Sequence, residues 1–125
     1  SHPPVAQLHE TVYMPPDEAD SDVRRLHLEL TSGAALTWTD EKLEILLGET
    51  SITVEKDGDL KIVAKGNLKL TAQGDIEISA QGDVKLAAQG QLSAKGMAAT
   101  IEGQSQATFK GPQLSIAGML QFSPS

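Results

Sequence analysis

Glycines recur along this chain at a constant spacing of eight residues, and each one begins nearly the same segment. The segments, called octads below, read GDLKIVAK, GNLKLTAQ, GDIEISAQ and GDVKLAAQ. The glycines that mark the spacing are Gly58, Gly66, Gly74, Gly82 and Gly90. A repeat this short cannot bury an apolar face by itself and must stack on copies of itself. The spacing therefore predicts a rod of short strands with a turn at every glycine.

Within each octad the second, fourth and sixth residues after the glycine are apolar. Alternation with a period of two places these side chains on one face of a β-strand. The sixth residue is alanine, as at Ala64 and Ala72, and the other two are larger. The larger side chains, which we expect to form the core, are Leu60, Ile62, Leu68, Leu70, Ile76, Ile78, Val84 and Leu86.

The octads supply little core material for one chain. Three small or medium apolar side chains per octad cannot enclose an interior alone, whereas three identical chains around one axis pool their side chains in each layer. We therefore predict an all-β fold, namely an intertwined homotrimeric triple-stranded β-helix (β-prism) built from octapeptide repeats. A monomeric β-solenoid is the alternative.

The corners of this rod are expected at the octad glycines. A chain that bends sharply between flat faces favours glycine, which adopts positive φ without a steric penalty. Short polar residues that tolerate such corners follow the glycines. They are Asp59, Asn67, Asp75 and Asp83.

Four zones follow from the pattern. Residues 1–23, rich in proline and acidic side chains, are interpreted as a linker at the N-terminal edge. Residues 24–57 form an irregular β start of the rod, 58–95 the octad β-helix, and 96–125 its C-terminal end. The start, Ser1-His2-Pro3-Pro4, has no signal-peptide features, and we expect the natural protein to extend upstream.

The segment from Asp40 to Leu47 admits two interpretations. Thr39 could cap a short helix, but the apolar residues Leu43, Ile45 and Leu47 recur at two, which favours a strand. Turns are then expected at residues 31–33, 39–41 and 48–50.

Composition excludes several classes of function. Three chains of net charge −7 would together carry −21, which disfavours nucleic acid and anionic lipid as ligands. The chain has no cysteine, so disulfides and thiolate metal sites are excluded. No apolar stretch approaches the length of a membrane span.

The sequence predicts no catalytic site, cofactor or metal. Asp57 with Asp59, and Asp75 with Glu77, are carboxylate pairs, but lysines alternate with them in the octads, as expected for charge pairs on a solvated surface. These lysines are Lys61, Lys69 and Lys85. His9 and His27 have no evident partner ligands and are interpreted as lone surface histidines.

The octads, the preceding LHLELTSGAALTW and ITVEKDGDLKI segments and the acidic linker together resemble one family. This is the C-terminal β-helical needle of the central spike proteins of contractile injection machines. The family includes the VgrG proteins of type VI secretion, the baseplate spikes of contractile phages and the spikes of extracellular phage-tail-like particles. The resemblance extends from about Arg24 to the C-terminus.

The resemblance implies a structural, membrane-piercing spike. Such a needle is a homotrimer mounted on an upstream barrel and hub, is driven by the tube of the same machine, and contacts the target membrane transiently. It is assembled in the bacterial cytoplasm or as part of a virion or particle, and is delivered to the extracellular space or the target cell.

The C-terminus carries Met119, Leu120 and Phe122, which is unusually apolar for an exposed end and indicates a partner. The resemblance implies that this partner is a conical tip protein of the proline-alanine-alanine-arginine (PAAR) repeat type. Some phage spikes instead bind iron at the tip through a histidine-x-histidine motif. The histidines here lie far from the C-terminus, so we expect a separate tip protein and no tip iron.

A second functional class remains open at this point. A β-solenoid stalk or adhesin-type module could bind surface polysaccharide, for which aromatic platforms would be expected. The chain offers only Tyr13, Trp38, Phe109 and Phe122 for this purpose.

Overall fold

The computed structural model describes residues 9–11 and 25–124 of the chain. These residues contain β-strands, turns and bends but no helix, so the predicted all-β class is confirmed for them. Within the same ranges no helix could cross a membrane. The chain divides into two compact units, residues 1–77 and 78–125, which are described in turn.

The first unit contains one antiparallel sheet in which each strand pairs with the next strand along the chain. From the second strand onward the strands are joined by short connections, which the sequence supplies between the apolar runs. Its strands are β1 (His9–Thr11), β2 (Arg25–Glu29), β3 (Ala35–Thr39), β4 (Lys42–Leu47), β5 (Thr50–Glu55) and β6 (Leu60–Val63).

The segment for which a helix was considered is strand β4. The Thr39 hydroxyl accepts hydrogen bonds from the backbone N–H groups of Glu41 (3.0 Å) and Lys42 (3.1 Å), as a helix cap would. The chain nevertheless reverses there, and Leu43 pairs with Trp38 across the hairpin. The expected turns at 31–33, 39–41 and 48–50 lie between strands as predicted.

The predicted linker contains one regular element. Within residues 1–23, His9–Thr11 forms β1, which pairs with β2 so that His9 lies opposite Glu29. The sequence did not predict this strand, because three residues are too few for a pattern of alternation. The rest of the predicted linker lies outside the described residues.

The strand register separates the sheet into two chemically distinct faces. Opposite one another across the strands lie Leu28, Leu36, Ile45, Ile52 and Ile62, and in a second row Leu26, Trp38, Leu43, Val54 and Leu60. We call this surface the apolar face. The other side carries His27, Thr37, Glu44, Thr53 and Lys61 in one row, and we call it the polar face.

The first octad forms β6. The strands that we predicted in the later octads are not present. The backbone bends at residues 65–66 and 73–74, and no strand is present between Ala64 and Pro124. Strands are defined by ladders of backbone hydrogen bonds, and successive octads of one chain do not lie side by side to form them.

We predicted that the octad glycines adopt positive φ at the corners, and this is correct only at Gly58. Its φ is 110°, within the region that favours glycine. Gly66, Gly74, Gly82 and Gly90 do not have positive φ, although each is the second residue of a bend. A Cβ atom added to any of these four would meet nothing of its own chain within 4 Å. The bends therefore do not depend on a left-handed backbone.

The second unit contains bends without strands. The bends at 81–82, 89–90 and 97–98 keep the spacing of eight, and later bends occur at 104–105, 112 and 118. Gly103 lies against the carbonyl oxygen of Gln106, closely enough that a Cβ atom could not fit. Gly118 has a φ of 117°.

Candidate interaction surfaces

The apolar face has no cover in its own chain. No side chain in the part of the chain described by the structure is buried. Trp38 is 59% exposed, and Ile52, on β5 with a paired strand on each side, is 39% exposed. Burying a leucine or isoleucine side chain stabilises a protein by about 1.5–3 kcal/mol relative to leaving it in water. A face of ten apolar side chains, none of them buried, is therefore typical of an interaction surface.

Strand β5 shows that the sheet covers its polar residues better than its apolar ones. Ile52 and Val54 on the apolar face are exposed, whereas Ser51, Thr53 and Glu55 between them are half-buried. A soluble single-chain sheet normally shows the opposite arrangement, with its apolar face inside. The side chains of β5 therefore have the reverse of the usual distribution.

Two concavities lie along the apolar face. One, of about 310 Å³, is lined by apolar side chains that include Leu28, Leu36 and Ile45. The other, of about 290 Å³, lies at the end near residues 39–42 and is lined by Trp38 and Val54 together with charged residues such as Glu41. Depressions of this size accept side chains from a second surface.

The larger octad side chains predicted as core show two regular levels of exposure. Leu60 and Ile62 extend the rows of the apolar face, opposite Val54 and Ile52. In the next three octads the residue two after the glycine is 54–60% exposed, and the residue four after it is 71–73% exposed. These residues are Leu68, Ile76 and Val84, and Leu70, Ile78 and Leu86. The single chain brings none of them into a core.

In the described part of the chain, the backbone after the first octad is without hydrogen bonds. From residue 66 to residue 124, no described backbone group is bonded to another, and no strand is formed. Fixing a residue in one conformation costs about 1–2 kcal/mol of entropy. An isolated chain has no contacts here to offset that cost. Hydrogen bonds within the described part of the chain therefore do not account for a bend at every eighth residue.

The polar face contains a side-chain cluster that sequence reasoning missed. His27 Nδ1 lies 2.8 Å from Thr37 Oγ1, and His27 Nε2 lies 3.0 Å from Glu29 Oε1. His27 is therefore not the lone surface histidine that we expected. A histidine and a glutamate two residues apart on one strand share a face, which was the available signal.

The His27 cluster has the atom types of a nucleophile relay, in the order carboxylate, imidazole, hydroxyl. It lies on the face of a sheet, and neither of the two concavities includes Thr37 or Glu29. Its geometry is that of a cross-strand polar contact, which links β2 to β3.

The end of the first octad is attached to the sheet. Lys65 donates its backbone N–H to Thr50 Oγ1 (3.1 Å), and its ammonium group lies 2.8 Å from Glu49 Oε2. Later octads have glutamine or methionine at this position. Lysine at the first corner is thus explained by a local contact with the β4–β5 turn. The exposed ion pair contributes little energy, but the two contacts direct the chain as it leaves the sheet.

The acidic pairs are surface features in the structure. Asp57 accepts a hydrogen bond from the backbone N–H of Asp59 (3.3 Å), which places its carboxylate within the turn before β6. Asp75 and Glu77 are exposed. Across residues 9–11 and 25–124 no three histidine, aspartate or glutamate side chains form a group that could hold a metal ion.

The C-terminal segment presents its apolar side chains to solvent. Met119 is 98% exposed, Phe122 89% and Leu120 56%. They follow the bend at Gly118, where the positive φ turns the chain. Exposure of three large side chains so close together is typical of a binding surface.

No protein-family model, curated protein or solved structure matches the chain.

Proposed function

We propose that this chain is a needle segment of a contractile injection machine, in which three copies intertwine into a triple-stranded β-helix that pierces a target envelope. The proposal also includes the absence of catalytic activity. One observation carries it: the chain bends every eight residues as far as residues 97–98, and the described residues 66–124 make no backbone hydrogen bond within their own chain. Intertwined copies would supply both the missing hydrogen bonds and the cover for the exposed apolar residues.

The same observation disfavours a monomeric solenoid stalk. In a solenoid each turn hydrogen-bonds to the preceding turn of the same chain, and its apolar side chains are enclosed by those turns. The octads after the first lack both features in the described part of the chain.

A mechanical role agrees with this architecture. When strands from different chains alternate along an axis, no strand can separate without breaking ladders to two other chains, and few free edges remain. Such an assembly unfolds only when all three chains disengage, so its resistance to force is kinetic as well as thermodynamic. Both properties suit a rod that transmits axial load.

The oligomeric state is the first test. We expect light scattering to give three times the 13.2 kDa of one chain. Ile52→Asp, which places a charge on the apolar face, should abolish the trimer, whereas Thr53→Asp on the polar face should not. A wild-type chain that is monomeric and folded would contradict the proposal.

We propose that a PAAR-type tip protein docks on Met119, Leu120 and Phe122. Three copies of this exposed cluster around an axis would form a compact apolar platform. In a pull-down with the tip protein of the same machine, Leu120→Asp combined with Phe122→Asp should remove binding. Gln121→Asp, between the two, should leave binding intact. Equal binding by all variants would exclude this docking face.

A further inference from the structure

Strand β6 leaves one edge of the sheet open. Its inner edge pairs with β5, and the outer edge has no partner within the described ranges. An open edge presents backbone N–H and C=O groups to a further strand. The next octad of the same chain turns away at residues 65–66 and forms no strand beside β6. We therefore expect the strand that completes this edge to come from another copy.

Symmetry determines which segment of that copy it is. Each octad lies between two bends and would fill one face of the proposed rod. In a threefold assembly the chain moves to the next face with each octad, so the layer above an octad of one copy is the following octad of a neighbouring copy. Both run in the same sense around the axis and are parallel, about 4.8 Å apart. A shift between the two strands by an odd number of residues would move the apolar side chains to the outside. The shift must therefore be an even number of residues.

Resting on the proposed trimer, we propose that residues 66–73 of a neighbouring copy pair in parallel with β6, so that equal octad positions are adjacent across copies. Residues three after the glycine then form an outward column of Lys61, Lys69 and Glu77, each from a different copy. Lys61 lies on the polar face opposite Thr53, as this arrangement requires. Lys69 of one copy contacts Glu77 of another.

The charges in this column have no other partners within the described part of the chain. Lys61, Lys69 and Glu77 are exposed, and the ion pairs formed in that part involve other residues. The apolar patterns of the octads are nearly identical, so packing alone distinguishes poorly between axial positions. If one copy were displaced along the axis by one octad, identical residues would lie side by side at one of its two contacts with the other copies. Glu77 would then lie against Glu77. The Lys69–Glu77 contact therefore selects the axial register.

Charge reversal tests the contact. Glu77→Lys makes the whole column positive and should lower the thermal midpoint of the trimer by about 5 °C at low salt. Lys69→Glu should have little effect, because it replaces repulsion from Lys61 with repulsion from Glu77. The two changes together should restore the wild-type midpoint. Glu102→Lys, outside the octads, controls for net charge. The contact is wrong if Glu77→Lys lowers the midpoint no more than Glu102→Lys does. It is also wrong if the double variant melts no higher than Glu77→Lys alone.

Engineered disulfides test the register directly, since the chain has no cysteine of its own. Val63 and Thr71 are both five residues after their glycines, so Val63→Cys with Thr71→Cys should yield a disulfide-linked trimer on oxidation. In Val63→Cys with Lys69→Cys the same register separates the Cα atoms by about 8 Å, too far for a disulfide. If light scattering shows a trimer but disulfides form only in the second pair, or in neither pair, the proposed register is wrong while the proposed trimer stands. A monomer would overturn the proposed function itself.

Discussion

At the scale of single residues, the glycines differ in what requires them. Gly58 needs its positive φ, and Gly103 needs the absence of a side chain because the Gln106 carbonyl oxygen occupies the space. At Gly66 neither condition holds within one chain. The same residue type thus marks a turn in one place and a close approach of backbone in another.

Gly103→Ala should destabilise the protein, because the backbone at Gln106 must move to admit a Cβ atom. We expect a loss of about 1–3 kcal/mol in the free energy of unfolding, measured by denaturant titration. Gly111→Ala is the matched control. Its nearest neighbour, the Gln113 carbonyl oxygen, is 3.5 Å from the added Cβ, an ordinary contact. Equal stability of the two variants would contradict the close approach at Gly103.

At the scale of elements, the sheet is held by its ladder and by contacts on the polar face. The cluster of His27, Glu29 and Thr37 links β2 to β3, while Lys65 ties the first corner to the β4–β5 turn. The His27 cluster lies on the polar face, whereas Thr50 lies opposite Leu47 at the end of the sheet, on the side of the apolar rows. The polar contacts therefore order the single chain and leave its apolar face available to other chains.

Thr37→Val removes the hydroxyl that contacts His27 while keeping the shape of the side chain. We expect a loss of about 1 kcal/mol of stability, with faster amide hydrogen exchange along β2 and β3. Thr53→Val is the control, since Thr53 lies in the same row of the polar face and makes no side-chain hydrogen bond in the structure. A Thr37→Val protein as stable as this control would show that the cluster adds nothing.

At the scale of the whole molecule, folding and association are expected to be one event. After the first octad, the described residues make no backbone hydrogen bonds within the chain, and none of their side chains is buried. A chain with these properties has little folded stability alone, and the assembly is stabilised by mass action.

The midpoint of thermal unfolding should therefore rise with protein concentration. The measurement is a series of melts over a wide concentration range, with scans slow enough to rule out rate effects. A folded monomer would give the same midpoint throughout the series, and that result would contradict coupled folding and association.

The sequence by itself determined the β class, the turns between the first strands and the set of apolar residues that share a face. These depend on local alternation and on residues such as Thr39 and Gly58, whose chemistry acts within a few positions. Alternation also predicted that Leu60 and Ile62 lie on the same side of their strand, and the sheet places both on the apolar face.

Only the tertiary structure decided that this face is left open and that His27 meets Thr37. It also showed β1 beside β2, the ordinary φ of the later corner glycines and the close approach at Gly103. These features depend on which distant segments become neighbours, and residue periodicity carries no information about that. Alternation shows that a strand has an apolar side, whereas the path of the chain decides whether anything in the same chain covers it.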